Sequence, residues 1–283
     1  MRGVIALDID GTITDKDHLI SDEVADFFEG LHENGWTFLF LTGRSLSFAM
    51  RTLPKLSFSY YLGVQNGSVL FEMPEKKEVE RFYLSKDLIE ILDKLHSEFE
   101  EDFLIYSGYE KGDVCYFRKK RFSSEMLEYL EKVEKLSDAP WISLDSFDLI
   151  DQDSFPLIKC LGSFEAMERL EKKLEGLEGT ETCLIKDPLS KTLYLVLITR
   201  KEADKGKAAQ AMMEKFSLSG PLITGGNDNN DLTLLGVGDE KIAIQGSPQK
   251  LLDLATIIAP PSEEGGIIDG IKTAIERLEK SWK

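Results

Sequence analysis

The chain has 283 residues, of which 42% are hydrophobic and 30% are charged. This composition is typical of a folded, soluble protein of one large domain or two smaller ones, and it excludes a disulfide-stapled mini-protein and an intrinsically disordered chain. With 51 Asp and Glu against 34 Lys and Arg, the formal net charge is -17. Such a chain repels nucleic acids and anionic membranes, so neither is expected as a partner.

The cysteines and the N-terminal residues both favour a cytoplasmic protein. The cysteines, Cys115, Cys160 and Cys183, are odd in number and lack the spacing of a zinc or disulfide framework, which indicates reduced thiols. The apolar run Val4–Leu7 meets Asp8 at once, so it is too short for a signal peptide or a membrane span. The sequence leaves the oligomeric state open.

The first part of the chain alternates between apolar runs and amphipathic segments. The apolar runs predict strands buried on both faces, as in a parallel sheet; they are Val4–Leu7, Trp36–Leu41 and Tyr60–Val64. A helix is predicted from Ser21, which can cap it, to the stop signal Asn34-Gly35, and a shorter one leads towards Pro54. This βαβαβ order predicts a parallel sheet covered by helices.

A change in composition after Phe71, from apolar runs to charged residues, indicates an inserted domain. The segment Glu72–Arg81 is charged, and the helices beyond it are amphipathic, with predicted starts at Ser85, Ser124 and Ser163. Further apolar runs predict a small sheet that carries these helices on one face; the runs are Val114–Phe117, Leu157–Leu161, Thr182–Ile185 and Thr192–Thr199. The insertion is therefore expected to be an α+β domain.

The parallel-sheet pattern returns after about Thr199 and continues to the final helix, Ile267–Leu278. The predicted fold is thus α/β, with a parallel-sheet core that has helices on both faces. Residues 1–82 and 200–283 form this discontinuous core, and residues 83–199 form the inserted α+β domain. Ligands bind at the carboxyl ends of the strands in such sheets, so candidate functional residues are sought there.

Two carboxylates leave the carboxyl end of the first strand in the sequence Asp8-Ile9-Asp10-Gly11-Thr12. Gly11 is free to turn sharply, which lets both acidic residues stay near the edge of the sheet. An Asx-rich turn that merely caps the strand is the alternative, because Asp and Gly are common turn residues.

Three other motifs follow predicted strands or open helices, and together with Asp8–Thr12 they resemble one family. They are Thr42-Gly43-Arg44, Lys205-Gly206 and Gly226–Asp231, and Asn66-Gly67, Ala243–Gly246 and Gly265-Gly266-Ile267 also fit. Over its whole length the chain resembles the haloacid dehalogenase superfamily of phosphohydrolases, in its Cof-type or sucrose-phosphatase-like branch. The resemblance implies a Rossmann-like core and a large inserted cap of the C2 type, which would select the substrate.

The resemblance also implies a mechanism. Asp8 would attack phosphorus to form an aspartyl-phosphate, and Asp10 would protonate the leaving oxygen and then activate water. Thr42 would hydrogen-bond a phosphoryl oxygen, while Lys205 would offset negative charge. The phosphoryl group and the rest of the substrate would bind at Gly11, Thr12, Gly43, Arg44 and Asn230. The expected substrate is a small phosphorylated metabolite, with a sugar phosphate as one candidate.

The implied cofactor is Mg²⁺, bound by Asp8, Asp10, Asn227 and Asp231. Asn227 departs from the family pattern, which has an aspartate there. A carboxamide oxygen binds Mg²⁺ more weakly than a carboxylate, so three readings stay open: ligation by Asn227 with help from Asp231, ligation by the adjacent Asp228, or loss of activity. A glycine- and asparagine-rich turn without a metal is the remaining alternative.

Two other functions remain open at this point. A phosphomutase of the same superfamily would return the phosphoryl group to the sugar, and a catalytically silent protein would only bind a phosphorylated ligand. The mechanism needs no histidine, and His18, His32 and His96 lack partners in motif spacing, so they are expected to be structural or surface residues. The basic cluster Arg118–Arg121 can be a contact for a second anionic group of the substrate, but a solvated surface loop is the favoured reading.

Overall fold

The computed structural model describes residues 2–137, 139–187 and 189–281. The strands, numbered in chain order, are β1 (Gly3–Asp8), β2 (Trp36–Leu41), β3 (Tyr60–Val64), β4 (Val69–Met73), β5 (Lys77–Arg81), β6 (Leu84–Ser85), β7 (Phe103–Tyr106), β8 (Cys115–Phe117), β9 (Trp141–Ser143), β10 (Ser154–Phe155), β11 (Leu157–Gly162), β12 (Thr180–Lys186), β13 (Tyr194–Arg200), β14 (Leu222–Gly226), β15 (Glu240–Ile244) and β16 (Ile257–Ala259). The α-helices are α1 (Asp22–Glu33), α2 (Leu46–Thr52), α3 (Leu88–His96), α4 (Ser124–Leu136), α5 (Phe164–Leu174), α6 (Lys205–Lys215), α7 (Leu232–Val237), α8 (Gln249–Leu254) and α9 (Gly266–Ser281).

Backbone proximity divides the chain into two compact units. The first unit contains the residues up to Arg44, Ala49–Glu80 and those from Asp204 onward. The second unit contains Ser45–Phe48 and Arg81–Ala203. The assignment of residues 83–199 as a substrate-selecting insertion stays a prediction.

The first unit is built on an eight-stranded sheet in the order β16-β15-β14-β1-β2-β3-β4-β5. The strands from β16 to β3 pair in parallel, and β4 pairs antiparallel with β3. All six residues of β1 are buried, as expected of a strand covered on both faces. On β2, the ring of Phe38 lies 4.9 Å from that of Phe28 on α1. The predicted α/β class is confirmed.

The core sheet contains two strands that the sequence did not predict. Strands β4 and β5 both belong to it, and both lie within residues 1–82, the first part of the predicted core. Strand β5 is the edge of that sheet, and its residues are exposed or half-buried. Charged side chains suit an edge because they oppose pairing with another chain, so low hydrophobicity there does not exclude a strand.

The second unit contains a six-stranded sheet in the order β12-β13-β11-β7-β8-β9. Ile158 and Cys160 of β11 pack in one apolar cluster with α3 and α5. Leu157 and Leu161, which point to the opposite face, pack in another cluster with α4. The prediction that the helices share one face of this sheet is therefore wrong. Strands β7 and β9 were also missing from the prediction.

Most predicted helix starts lie within one residue of the observed caps. Ser21 and Ser163 are the N-caps of α1 and α5, while Ser123 rather than Ser124 caps α4. Ser85 is the exception, because it pairs with Ser154 in a two-stranded sheet and α3 begins only at Leu88. A serine that can cap a helix can equally end a short strand, and sequence spacing does not separate the two.

Cys115 and Cys160 are buried, Cys183 is partly buried, and none of the three forms a disulfide. Within the described ranges, none of the helices combines the length and apolar character needed to cross a bilayer.

Candidate active site

The motifs singled out in the sequence meet at the carboxyl edge of the sheet in the first unit. Asp8 ends β1, Thr42 follows β2 at once and Asn227 follows β14. These strands are neighbours in the order β14-β1-β2, with Asp8 directly beside Leu41. Parallel strands end at the same edge, so residues far apart in the sequence come together there.

Lys205 links the end of β1 to the loop after β14 through a buried pair of hydrogen bonds. Its Nζ donates to Oδ1 of Asp8 at 2.5 Å and to Oδ1 of Asp231 at 2.6 Å. Lys205 is the first residue of α6, whose N-cap Asp204 accepts from the backbone N–H of Lys207 at 2.9 Å. The cap fixes where the helix begins and thereby where the ammonium lies. Lysine alone is a weak sequence signal, but here it is 1% exposed.

The shared ammonium leaves one buried negative charge uncompensated, because two carboxylates face a single cation. Burial, together with the carboxylate of Asp231, raises the pKa of Asp8 to about 7, although Lys205 opposes this shift. Burial alone would lower the pKa of Lys205, but the two carboxylates outweigh it, so the pKa is raised and the ammonium stays charged. A further cation at this site would offset that charge.

Asp10 lies beside Asp8 in sequence but has different partners. Nε of Arg44 donates to Oδ2 of Asp10 at 2.7 Å, Nη2 donates to Oδ1, and Nη1 of the same guanidinium donates to Thr52. Nδ1 of His18 lies 3.5 Å from Oδ1 of Asp10. Burial opposes the charged form, yet His18 and Arg44 outweigh it and hold the pKa of Asp10 below its usual value. Asp10 is thus an ionised carboxylate in this structure.

His18 is a residue of the site that sequence reasoning missed. It lies in a loop with φ +60°, and no motif spacing connects such a residue to a strand end. The other two histidines have other partners: His32 stacks on Phe58 at 4.7 Å, and His96 belongs to the second unit. There its ring bonds the backbone of Glu101 and the thiol of Cys160.

The acidic loop after β14 is organised around Asp231. Its Oδ2 accepts from the backbone N–H groups of Asn227 at 2.9 Å and Asp228 at 3.0 Å, while Oδ1 accepts from Lys205. Oδ1 of Asp228 accepts from the N–H of Asn229. The Asp228 side chain also accepts from the backbone of Asp231, and together with the bond from the Asp228 N–H to Asp231 this forms a capping box. Both carboxylate oxygens of Asp231 therefore accept hydrogen bonds from groups of the protein. Burial, with the nearby Asp231 charge, raises the pKa of Asp228 to about 6.

Asn227 lies against the loop that carries the two aspartates. The hydroxyl of Thr12 donates to Oδ2 of Asp8 at 3.0 Å and lies 3.4 Å from Oδ1 of Asn227. The carboxamide packs so closely on Gly11 that a Cβ there would lie 2.4 Å from its nitrogen, and Gly11 has φ +73°. A glycine at this position is required on both counts.

The donors around Asp8 fit a hard divalent cation. Asp8, Asp228, the backbone carbonyl of Asp10 and the carboxamide of Asn227 offer oxygen atoms, the ligand type that Mg²⁺ prefers. The uncompensated negative charge shared by Asp8 and Asp231 also suits a cation. In residues 2–137, 139–187 and 189–281, no group of three or more His, Cys, Asp and Glu side chains is placed to bind a metal by itself. A metal at this site would therefore also need the neutral carbonyl oxygens.

Thr42 and Asn230 lie on either side of a turn that follows β3. Oγ1 of Thr42 accepts from the N–H of Arg44 at 3.1 Å, and its backbone oxygen accepts from the N–H of Asn66 at 2.8 Å. Nδ2 of Asn230 donates to Oδ1 of Asn66 at 3.1 Å. Gly43 lies beside the same carboxamide, because a Cβ there would be 3.4 Å from Oδ1 of Asn66.

The basic cluster Arg118–Arg121 divides into one buried and three exposed residues. Nε and Nη2 of Arg118 donate to the two oxygens of Asp102, each at 2.7 Å, and Nη2 also donates to Asp93. The reading as a solvated loop is therefore wrong for Arg118, which forms an internal ion pair. Its guanidinium is already committed to carboxylates, so it does not support a contact with substrate.

The chain is similar in fold to solved bacterial structures. One is a haloacid dehalogenase-like hydrolase from Bacteroides thetaiotaomicron, with TM-score 0.76, 18% identity, and coverage of 97% of this chain and 100% of that one. Another is a haloacid dehalogenase-like hydrolase from B. subtilis, with TM-score 0.77, 19% identity, and coverage of 95% and 98%. At such identities the likeness concerns the fold.

Two curated relatives are phosphoglycolate phosphatases from archaea. The protein of Methanothermobacter thermautotrophicus is 42% identical over 66 residues, which are 23% of this chain and 30% of that protein. The protein of Methanobrevibacter smithii is 26% identical over 140 residues, or 46% and 60%. The match thus spans less than two thirds of either relative. Residues 5–271, nearly the whole chain, match the family described as haloacid dehalogenase-like hydrolase. The chain therefore belongs to the haloacid dehalogenase-like hydrolases.

Proposed function

We propose that the protein is a Mg²⁺-dependent phosphatase that hydrolyses a small phosphorylated metabolite through Asp8. The observation that carries this proposal is the buried bridge from Lys205 to Asp8 and Asp231 at the carboxyl edge of the sheet. A carboxylate held beside a permanent cation is suited to attack an anionic phosphoryl group, since the ammonium offsets the repulsion between the two.

The reaction would proceed in two steps. An oxygen of Asp8 attacks phosphorus, the bond from phosphorus to the ester oxygen breaks, and Asp10 delivers a proton to that oxygen. Asp10 then takes a proton from water, whose oxygen attacks the phosphorus of the aspartyl-phosphate and releases inorganic phosphate and free Asp8. Because Asp10 is ionised and bound to Arg44 in this structure, that ion pair must open before Asp10 can act as an acid.

The remaining residues would hold the phosphoryl group and the metal. Gly11, Thr12, Thr42, Gly43, Arg44 and Asn230 are proposed as the phosphate site. Asp8, the Asp10 carbonyl and Asn227 are the proposed metal ligands. Asp231 would help indirectly, because it fixes the backbone of Asn227 and the position of Lys205. When bound, Mg²⁺ would supply charge that stabilises the developing negative oxygens.

The relatives suggest the first substrate to test. Phosphoglycolate is the substrate named for both archaeal relatives, and it is a small phosphorylated acid of the expected size class. Sugar phosphates form the second group to test, with selection proposed to lie in residues 83–199. Cysteines without a disulfide are consistent with work in a reducing, cytoplasmic compartment, which we propose as its location.

Release of inorganic phosphate tests the proposal. The assay compares p-nitrophenyl phosphate, phosphoglycolate and a panel of sugar phosphates, with Mg²⁺ and with a chelator. We expect Mg²⁺-dependent release that is lost in Asp8→Asn and retained in Asp26→Asn, a matched change at an exposed position of α1. An isomerised phosphate ester in place of free phosphate would identify a mutase. Binding of phosphate without turnover in the folded wild type would identify a silent binder.

A further inference from the structure

The turn after β3 has an unusual backbone. Gln65, Asn66 and Gly67 are consecutive and all have positive φ, at 50°, 59° and 91°. Left-handed backbone is unfavourable for residues with a Cβ, and Asn tolerates it better than most others. Gln65 and Asn66 are also buried. A strained and buried turn persists only where the surrounding structure requires it.

The turn contacts three segments of the proposed active site, all within the first unit. The N–H of Gln65 donates to the carbonyl of Arg44, and the N–H of Asn66 to the carbonyl of Thr42, both at 2.8 Å. Gly67 packs on the start of α6, where a Cβ would lie 3.1 Å from the carbonyl oxygen of Asp204. The third contact is the hydrogen bond from Asn230 to the side chain of Asn66.

We infer that Asn66 is a positioning residue for the phosphate site. Its carboxamide oxygen fixes the side chain of Asn230 and lies against Gly43, so one group sets the spacing between two segments proposed to bind the phosphoryl group. With one Nδ2 hydrogen of Asn230 directed to Asn66, the other can serve a phosphoryl oxygen. The inference rests on the proposed phosphatase function.

The chemistry of the turn explains why asparagine suits this position. Glycine would accept the left-handed backbone but would lose the acceptor for Asn230. Aspartate would keep the acceptor but would place a negative charge beside the phosphoryl group. Asparagine combines tolerance of positive φ with a neutral acceptor, and both are needed here.

Asn66→Gly tests the role of the side chain separately from that of the backbone conformation. The variant keeps positive φ and the N–H bond to Thr42 and removes only the carboxamide. In the Mg²⁺-loaded enzyme, we expect the inhibition constant for inorganic phosphate and the KM to rise by roughly tenfold, the loss expected when one positioned hydrogen bond to a partly buried polar group is removed. Lys76→Gly is the matched control, because Lys76 also has positive φ (55°) but is exposed in the turn between β4 and β5. It should leave both constants unchanged.

Asn230→Ala and the double variant Asn66→Gly/Asn230→Ala separate positioning from general loosening of the turn. If Asn66 acts through Asn230, the double variant is no worse than Asn230→Ala alone. Fully additive losses, or an unchanged phosphate inhibition constant in Asn66→Gly beside an active wild type, would overturn the inference and leave the phosphatase proposal standing. A wild type with neither turnover nor phosphate inhibition would overturn both.

Discussion

The buried negative charges of Asp8 and Asp231 lower the stability of the fold but suit the proposed reaction. Two carboxylates share the ammonium of Lys205, so the buried group has a net negative charge. Replacing Asp8 by Asn removes one charge and leaves a balanced pair of Lys205 and Asp231. We therefore expect Asp8→Asn to stabilise the metal-free protein while abolishing turnover.

The gain from Asp8→Asn should depend on pH. Folding raises the pKa of Asp8 from 3.8 to about 7, so between these values the folded state binds a proton that the unfolded state has released. The stability of the wild type then falls as pH rises from about 4 to about 7, and the variant escapes this loss. At 1.36 kcal/mol per pKa unit, the difference reaches at most about 4 kcal/mol.

Chemical denaturation of chelator-treated protein at about pH 4.5 and about pH 8 measures this difference. The free energy of unfolding of Asp8→Asn should exceed that of the wild type more at the higher pH, and Asp26→Asn should show no such trend. A variant less stable than the wild type at about pH 8 would contradict the charge argument.

We expect Asn227 to determine how strongly the proposed site holds a metal. Asn227→Asp adds a carboxylate to the proposed ligand set, so we expect Mg²⁺ to bind about tenfold more tightly, measured by titration calorimetry on metal-free protein. Asp228→Asn is the variant to compare, because it distinguishes ligation by Asp228 from ligation by Asn227. If Asp228 were the ligand in place of Asn227, its loss would weaken Mg²⁺ binding more than Asn227→Ala does, and the proposed ligation by Asn227 would be wrong.

At the scale of elements, the position of Lys205 depends on close packing between α6 and α7. A Cβ on Gly206 would lie 2.3 Å from the backbone oxygen of Thr233. The backbone cannot yield as a flexible side chain would, so Gly206→Ala should shift α6. We expect a loss of about 1–3 kcal/mol in the free energy of unfolding, together with reduced activity, because the neighbouring ammonium moves with the helix.

A glycine on α7 provides the control for this change. At Gly236, an added Cβ would meet nothing within 4 Å. Gly236→Ala should therefore be neutral or stabilise the protein by up to about 1 kcal/mol through the higher helix propensity of alanine. Denaturant unfolding of both variants measures the contrast. Equal effects at the two positions would show that the close contact of Gly206 does not constrain α6.

Continuous apolar runs predicted some strands but not all, since β7 (Phe103–Tyr106) is such a run and was missed. Strands β1, β2 and β3 were predicted within a residue because they are buried on both faces. Strand β5 was missed because an edge strand can be charged, and its place depends on neighbours distant in the sequence. The helices of the second unit were predicted, but their division between two faces was not, since it is settled by tertiary packing.

The residues of the candidate site likewise divide into those that the sequence predicts and those that it does not. The sequence brings Asp8, Thr42 and Asn227 to one edge because each follows a strand, and the structure places them there. The contact of His18 with Asp10 could not be foreseen, because it depends on the course of an irregular loop. The burial of Arg118 was equally hidden, since its partners Asp102 and Asp93 are distant in sequence.

For the whole molecule, the dominant electrostatic feature is the excess of acidic groups. Individual ion pairs, such as those of Lys205 and Arg118, neutralise selected carboxylates. Even if every Lys and Arg were paired, 51 acidic side chains against 34 basic ones would leave 17 carboxylates in excess. Their mutual repulsion favours the expanded, unfolded chain at neutral and alkaline pH.

Salt should therefore stabilise the protein, and more so at alkaline pH. Raising NaCl from about 0.01 M to about 0.5 M shortens the range of repulsion from roughly 30 Å to a few ångströms. We expect the thermal midpoint at about pH 8 to rise by about 2–4 °C, equivalent to about 1 kcal/mol for a chain of this size. At about pH 5.5, where part of the carboxylates are protonated, the rise should be smaller. Sucrose serves as an uncharged control that acts alike at both pH values. A larger effect of salt at about pH 5.5 would contradict repulsion between carboxylates as the cause.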